Sequence, residues 1–206
     1  MSKQNLIMKQ TLLIIFLTLP LFGFSQKVLQ WKQLTLNQKV STAKVIASDV
    51  YVEIEQKIKE SHQPYIKRFA WLAVYDYNEY GVLASIKIAQ GGTENGWGLI
   101  ADRGLLVKNH FSIQCKLKGN HKKHGCLKLN DAGITSYFAR YETDFDSWRA
   151  HTTLLLGGRY KNLFKDRDYE HWATKLTGNY AISPNYGKTL IWVIKEYELY
   201  KFDVRI

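Results

Sequence analysis

The chain has 206 residues, a formal net charge of +11, 46% hydrophobic residues and two cysteines. That length suits one domain with a sizeable core. The basic surplus favours an anionic polymer as partner, whether nucleic acid, anionic lipid or an acidic wall glycan.

Lys3 and Lys9 precede the apolar run "TLLIIFLTLPLFGF", and Gly23 and Ser25 occupy the small-residue positions of a cleavage site. This is the anatomy of a secretory signal over residues 1–25, with Met8 as a possible alternative start. The 14 apolar residues fall short of the roughly 20 that a membrane span needs. No stable membrane insertion is expected after cleavage, and no Cys follows the run to carry a lipid. Without Lys3 and Lys9 the formal charge falls from +11 to +9. Export to the periplasm or beyond argues against nucleic acid.

Residues 26–63 read as an N-terminal extension, in which "STAKVIASDVYVEIEQKIKE" mixes helix and strand signals and stays undecided. From Pro64 the periodicity sharpens. Tyr65, Ile66, Phe69, Leu72, Ala73 and Tyr77 recur at helical spacing until Gly81. A second helix, Leu83 to Glu94, is apolar nearly all round, as a buried central helix should be.

That helix ends in "QGGTENGWG". Gly91 and Gly92 each cost a helix roughly 1 kcal/mol against Ala, and Gly96 and Gly98 allow a sharp turn after Glu94. Small residues here would let neighbouring backbone approach closely. A lone Glu at a helix end is commonly a surface cap. A carboxyl held beside Trp97, partly desolvated, would instead stay protonated and serve as a general acid at a glycosidic oxygen.

Between Phe111 and Tyr141 the pattern becomes β-favouring: "FSIQCK", "CLKL" and "ITSYFARY", broken by Gly, Asn and Asp, suggest a small antiparallel sheet. Cys115 and Cys126 flank "KLKGNHKKHG". In an exported chain such a pair reads as a disulfide. A zinc site with His121 and His124 competes, but its spacing leaves little room to close a tetrahedron. Lys116, Lys118, Lys122 and Lys123 in this loop are either a solvated surface or a contact for anionic polymer.

Helical signals return in "DFDSWRAHTTLLL", with acids in its first turn, and in "DYEHWATKL", which stops at Gly178. A last helix is expected to open with Ser183 as N-cap and Pro184 at its first position. The class is therefore α+β, a helical lobe and a small antiparallel β-lobe, with no internal repeat and no second domain.

Four segments, "YGVLASIKIAQGGTENGWG", "KNHFSIQCK", "FARYETDFDSWRAHTTLLL" and "YAISPNYGKTLIWVIKEYELYKFD", carry a resemblance in one collinear order. Residues 64–206 resemble the glucosaminidase family of peptidoglycan hydrolases, glycoside hydrolase family 73, of autolysin and flagellar-assembly type. The resemblance implies a lysozyme-like fold with a cleft between its lobes and an endo-β-N-acetylglucosaminidase acting on peptidoglycan glycan strands without a cofactor. It places Glu94 on the catalytic acid and Tyr180 on the active-site tyrosine, with the second acid in the region of Asp131. A turn-forming role competes for Asp131. Glu142, Asp144 and Asp146 are further acidic candidates, although helix capping accounts for the last two.

Trp97, Asn109, Phe111 and Tyr141 are the candidate substrate-binding residues. Phe111, like Trp148, also reads as core. Ser112 and Gln114 stand where the family usually has Gly and Lys, and Ile182-Ser183 where Thr-Asp is frequent. A muramidase or lytic transglycosylase of the same architecture is the alternative enzyme, and an inactive wall-binding protein the alternative of another class. No metal is implied.

Overall fold

The computed structural model describes residues 30–99, 108–115, 125–131 and 134–206. The proposed signal segment and most of the basic loop, with His121 and His124, lie outside these residues.

Six helices of eight residues or more and one hairpin organise the described chain: α1 (Leu36–Ile54), α2 (Gln63–Tyr80), α3 (Ala84–Asn95), β1 (Cys126–Asp131), β2 (Ile134–Ala139), α4 (Asp144–Leu156), α5 (Tyr169–Leu176) and α6 (Tyr186–Glu196). This is the α+β, lysozyme-like architecture expected, a helical lobe bearing a small antiparallel one.

The undecided stretch after residue 35 is a helix. Thr35 and Gln38 form a capping box at its start. Ala43, Ile46, Ala47, Val50 and Ile54 recur on one face and are buried against the rest of the core. Ile46, Val50 and Ile54, β-branched residues that blur the local signal, are used by this packing while Val45 and Val52 stay exposed, so tertiary contact decides what propensity leaves open. Trp31 and Lys39 both hydrogen-bond Glu79 near the end of α2, at 2.8 and 2.7 Å, and fasten this segment to the helical lobe.

α2 carries Pro64 in its first turn and ends at Gly81, whose φ of 80° no β-branched residue would tolerate. The central helix α3 is buried from Ala84 to Gly92. Its first turn has no cap from its own N-cap residue, Leu83. Asp203 supplies one from far along the chain, accepting from Ser85 N at 3.0 Å and Ser85 Oγ at 2.6 Å.

Inside the helical lobe sits an ion pair that the hydropathy pattern hides. Lys87 is fully buried and bonds Asp76, Thr152 Oγ1 at 2.6 Å and the Trp148 carbonyl at 3.0 Å. Thr152 in turn donates to Asp76 at 2.7 Å. Three helices, α2, α3 and α4, thereby share one polar knot.

The hairpin pairs Cys126 with Ala139 through to Asp131 with Ile134. Of the three expected strands two form. "FSIQCK" contributes a single bridge, Gln114 to Phe138, with Cys115 N bonded to Tyr137 O at 2.7 Å. Its backbone is shaped instead by Asn109, as shown below. The disulfide is present, Cys115 to Cys126 with Cα atoms 5.8 Å apart, and it consumes both thiolates of the competing zinc reading.

The last helix starts two residues later than expected. Asn185 is its N-cap, and a turn closed by Tyr186 N to Ser183 O precedes it. Thr177 Oγ1 accepts from Gly187 N at 2.9 Å, so a group on the neighbouring strand-like segment does the capping work assigned to Ser183.

Candidate active site

Glu94 lies one residue before the end of α3 and is half-buried. The turn beyond it is unusual. Gly96, Trp97 and Gly98 all have left-handed φ, at 61°, 61° and 80°. For a tryptophan this is a strained backbone, and three contacts hold it. Asn95 Oδ1 accepts from Gly98 N at 2.7 Å. The Trp97 ring stacks on His62 with centroids 4.5 Å apart, and it meets Tyr197 edge-on.

The two glycines before Glu94 make room for rings, not for backbone as the sequence suggests. A Cβ on Gly92 would stand 2.4 Å from the Trp97 ring, and one on Gly91 would stand 2.6 Å from the Tyr65 hydroxyl. Trp97 folds back over its own helix, is 9% exposed, and so acts as the anchor of the turn.

The segment 108–115 crosses the end of α3. Asn109 is fully buried: its Nδ2 donates to the carbonyls of Ile113 and Ala139, each at 2.9 Å, and its Oδ1 accepts from Ile113 N. Phe111 is also fully buried, stacked 3.8 Å from His151. Neither side chain has surface to offer a sugar. For Asn109 a scaffolding role, shaping the segment, stands in place of the expected substrate contact, and for Phe111 the burial agrees with the core reading.

Ser112, where the family usually has Gly, keeps the left-handed conformation with φ 49°. Its hydroxyl donates to the Glu94 carbonyl at 3.2 Å and offsets part of that strain.

Tyr180 donates to the Phe111 carbonyl at 2.7 Å, and its ring stacks with Tyr186 at 5.9 Å. Burial and the nearby Tyr186 and Glu94 push the Tyr180 phenol far above its ordinary range. It is therefore a neutral hydroxyl at any working pH. Tyr186, at the start of α6, is the residue that sequence reasoning missed. Gln90 donates to its hydroxyl at 2.9 Å, which leaves the phenolic proton for Glu94, with which it is hydrogen-bonded. The signal was in view: Tyr186 ends "SPNY", but it reads there as an ordinary amphipathic helix residue.

Tyr141 is half-buried, and its hydroxyl has no hydrogen-bond partner among the described residues. Burial raises its phenol too. It lies near enough to Tyr180 to help keep that phenol protonated. Asp131 closes β1 opposite Ile134, next to the hairpin connection. Its side chain lies outside the described residues.

The acids at the start of α4 divide their work. Asp146 caps, accepting from Thr143 N and Oγ1 at 3.0 and 2.7 Å. Asp144 does not cap, contrary to expectation. It accepts from Arg68 Nη2 at 2.6 Å and faces His110 Nε2 at 3.0 Å. Glu142 is exposed, and its carbonyl accepts from Lys108 at 2.6 Å.

Residues 70–199 match the glucosaminidase family, described as mannosyl-glycoprotein endo-beta-N-acetylglucosaminidase. The chain is similar to the exo-glucosaminidase LytG of Bacillus subtilis, 29% identical over 168 residues, which are 74% of this chain and 58% of that protein. The present sequence thus spans little more than half of that relative. Among solved structures, the catalytic domain of the autolysin Auto from Listeria monocytogenes superposes with a TM-score of 0.59 at 20% identity, covering 89% of this chain and 99% of that one. The glycoside hydrolase domain of FlgJ from Salmonella typhimurium gives 0.54 at 21%, covering 66% and 88%. These two show a shared fold. With a half-buried carboxylate flanked by two tyrosines at the end of the central helix, and with more than half of its length matched, this chain belongs to the glucosaminidase family.

Proposed function

We propose that the protein is an exported endo-β-N-acetylglucosaminidase that hydrolyses the β-1,4 bond after N-acetylglucosamine in peptidoglycan glycan strands. The observation that carries this reading is Glu94, half-buried at the end of α3 and hydrogen-bonded by a tyrosine that Gln90 orients. Glu94 protonates the leaving oxygen. Tyr180, held by the Phe111 carbonyl, and Tyr141, whose hydroxyl has no partner among the described residues, face the reacting sugar. Asp131 is assigned as the second carboxylate. The family match and the names of the relatives support the substrate class. The formal charge of +9 that remains of +11 without Lys3 and Lys9 agrees with an acidic wall polymer as partner. The signal-like segment supports export, and no helix of the described residues is long and apolar enough to cross a membrane.

Mass spectrometry of purified glycan digested by the protein tests the reading. Internal cleavage that leaves reducing N-acetylglucosamine ends is the expected result. A second reading deserves an arm of the same experiment, because a relative from Lactococcus lactis, 27% identical, is named a probable N-acetylmuramidase. Reducing or anhydro muramic ends would establish that alternative, release of single terminal sugars an exo-acting enzyme, and absence of product a binding protein. Glu94→Gln should lower turnover about 10²–10⁴-fold with the fold intact, because an amide has no proton of suitable acidity to give.

A further inference from the structure

We propose that Asp144, His110 and Asn95 form a hydrogen-bonded relay that positions the end of α3, and with it Glu94, for proton donation; this rests on Glu94 being the acid. His110 is 4% exposed and Asn95 fully buried, so their polar atoms must find partners inside the protein. The Asn95 amide has only one orientation available, because its Oδ1 accepts from Gly98 N at 2.7 Å. Its Nδ2 then donates, 2.9 Å from His110 Nδ1 and 3.2 Å from the Tyr65 hydroxyl. His110 Nδ1 is therefore a bare acceptor, and the ring carries its proton on Nε2, directed at Asp144 Oδ1 at 3.0 Å. Arg68 holds the other oxygen of Asp144. Every atom in the chain from Arg68 to Gly98 has one role, and the chain ends in the strained turn that fixes where Glu94 points.

The relay joins α2, the segment 108–115, α4 and the end of α3. His110 is a positioning residue. Its ring packs between Phe69 and Trp148, and the groups that face it are Asp144 and Arg68, with the Tyr65 hydroxyl 3.2 Å from Nδ1. Burial lowers the pKa of His110 and outweighs the carboxylate of Asp144 that raises it, so the ring is neutral at pH 7. In acid a proton on Nδ1 would oppose the Asn95 amide donor to donor and release the turn.

Two measurements on the full chain test this. Long-range ¹H–¹⁵N NMR at pH 7 should show His110 with a protonated Nε2 and a bare Nδ1; the opposite tautomer overturns the relay. In kinetics on soluble glycan fragments, His110→Gln and Asp144→Asn should lower kcat roughly 10–100-fold with KM changed less than about twofold, the signature of a misplaced group rather than lost binding. Unchanged kcat, or a loss carried by KM alone, overturns the proposal. Should His110→Gln fail to fold, Asp144→Asn and the tautomer decide between the same outcomes. Failure of the enzymatic reading is separate: it shows as Glu94→Gln with wild-type turnover, while the tautomer is still read from the resting protein.

Discussion

Tyr186 shows how one hydroxyl changes the meaning of a carboxylate. Gln90 donates to it, so the phenolic proton is directed to Glu94 and the carboxyl group has a fixed neighbour instead of water. Tyr186→Phe removes that bond and leaves the buried Gln90 amide without its partner. As Glu94 gives up its proton it becomes charged, and a hydrogen bond to a charged group is worth about 1.5–3 kcal/mol. Turnover of the Phe variant should fall roughly ten- to a hundredfold, less than for Glu94→Gln, and steady-state kinetics on solubilised glycan will measure it. Asp131 belongs to the same scale. Asp131→Asn should lower turnover less than Glu94→Gln but well below wild type. Full activity of that variant, with loss in Glu142→Gln, would move the second carboxylate to residue 142.

The elements around the site are held by groups distant in sequence, and α3 is the clearest case. Its N-terminus is capped by Asp203, whose carboxyl burial raises to a pKa of about 6 from 3.8. The sign follows from linkage: an acid whose pKa is higher folded than unfolded adds stability below the unfolded value, and this is lost as pH rises through the folded one. Asp203 therefore contributes fully below about pH 4, and its contribution, on the order of 3 kcal/mol, is gone above about pH 6. Asn keeps an acceptor for Ser85 N without the titration. Denaturant unfolding of wild type and Asp203→Asn from pH 4 to 7 should show the variant gaining on wild type as pH rises. A constant difference across that range would rule out the titration.

At the scale of the molecule, the helical lobe is tied together by the Asp76–Lys87 pair and by Thr152. Burial pulls the Lys87 pKa down while Asp76 holds it up, with the net shift downward. Among the described residues, Lys87→Met leaves buried Asp76 with only Arg149, 3.8 Å away, as counter-charge. Breaking one side of such a pair costs about 3–5 kcal/mol. Chemical denaturation should find that loss in the single variant and recover most of it in Lys87→Met with Asp76→Leu, where no buried charge is left. Equal losses in both would mean that the pair itself, and not the orphaned carboxylate, carries the stability.

The helices from residue 63 onward were legible because their apolar residues repeat at helical spacing and their ends carry Gly81, Gly178 and the first-turn acids of α4, all local signals. Glu94 stood out as a candidate for the opposite reason. Two glycines inside a buried helix make no local sense, and that misfit pointed to a site. What those glycines accommodate is set by tertiary packing, since Trp97 and Tyr65 reach them only when the chain folds back. The same holds for α1, where an ambiguous propensity is resolved by burial against the core, and for the α3 cap, which arrives from residue 203. Asn109 read as surface chemistry until the fold enclosed it. Tyr186 and His110 read as nothing special until Gln90, Asn95 and Asp144 met them. Periodicity and turn residues are properties of neighbours along the chain. Hydrogen-bond partners 15 to 118 residues apart belong to the folded structure, which alone brings them within reach.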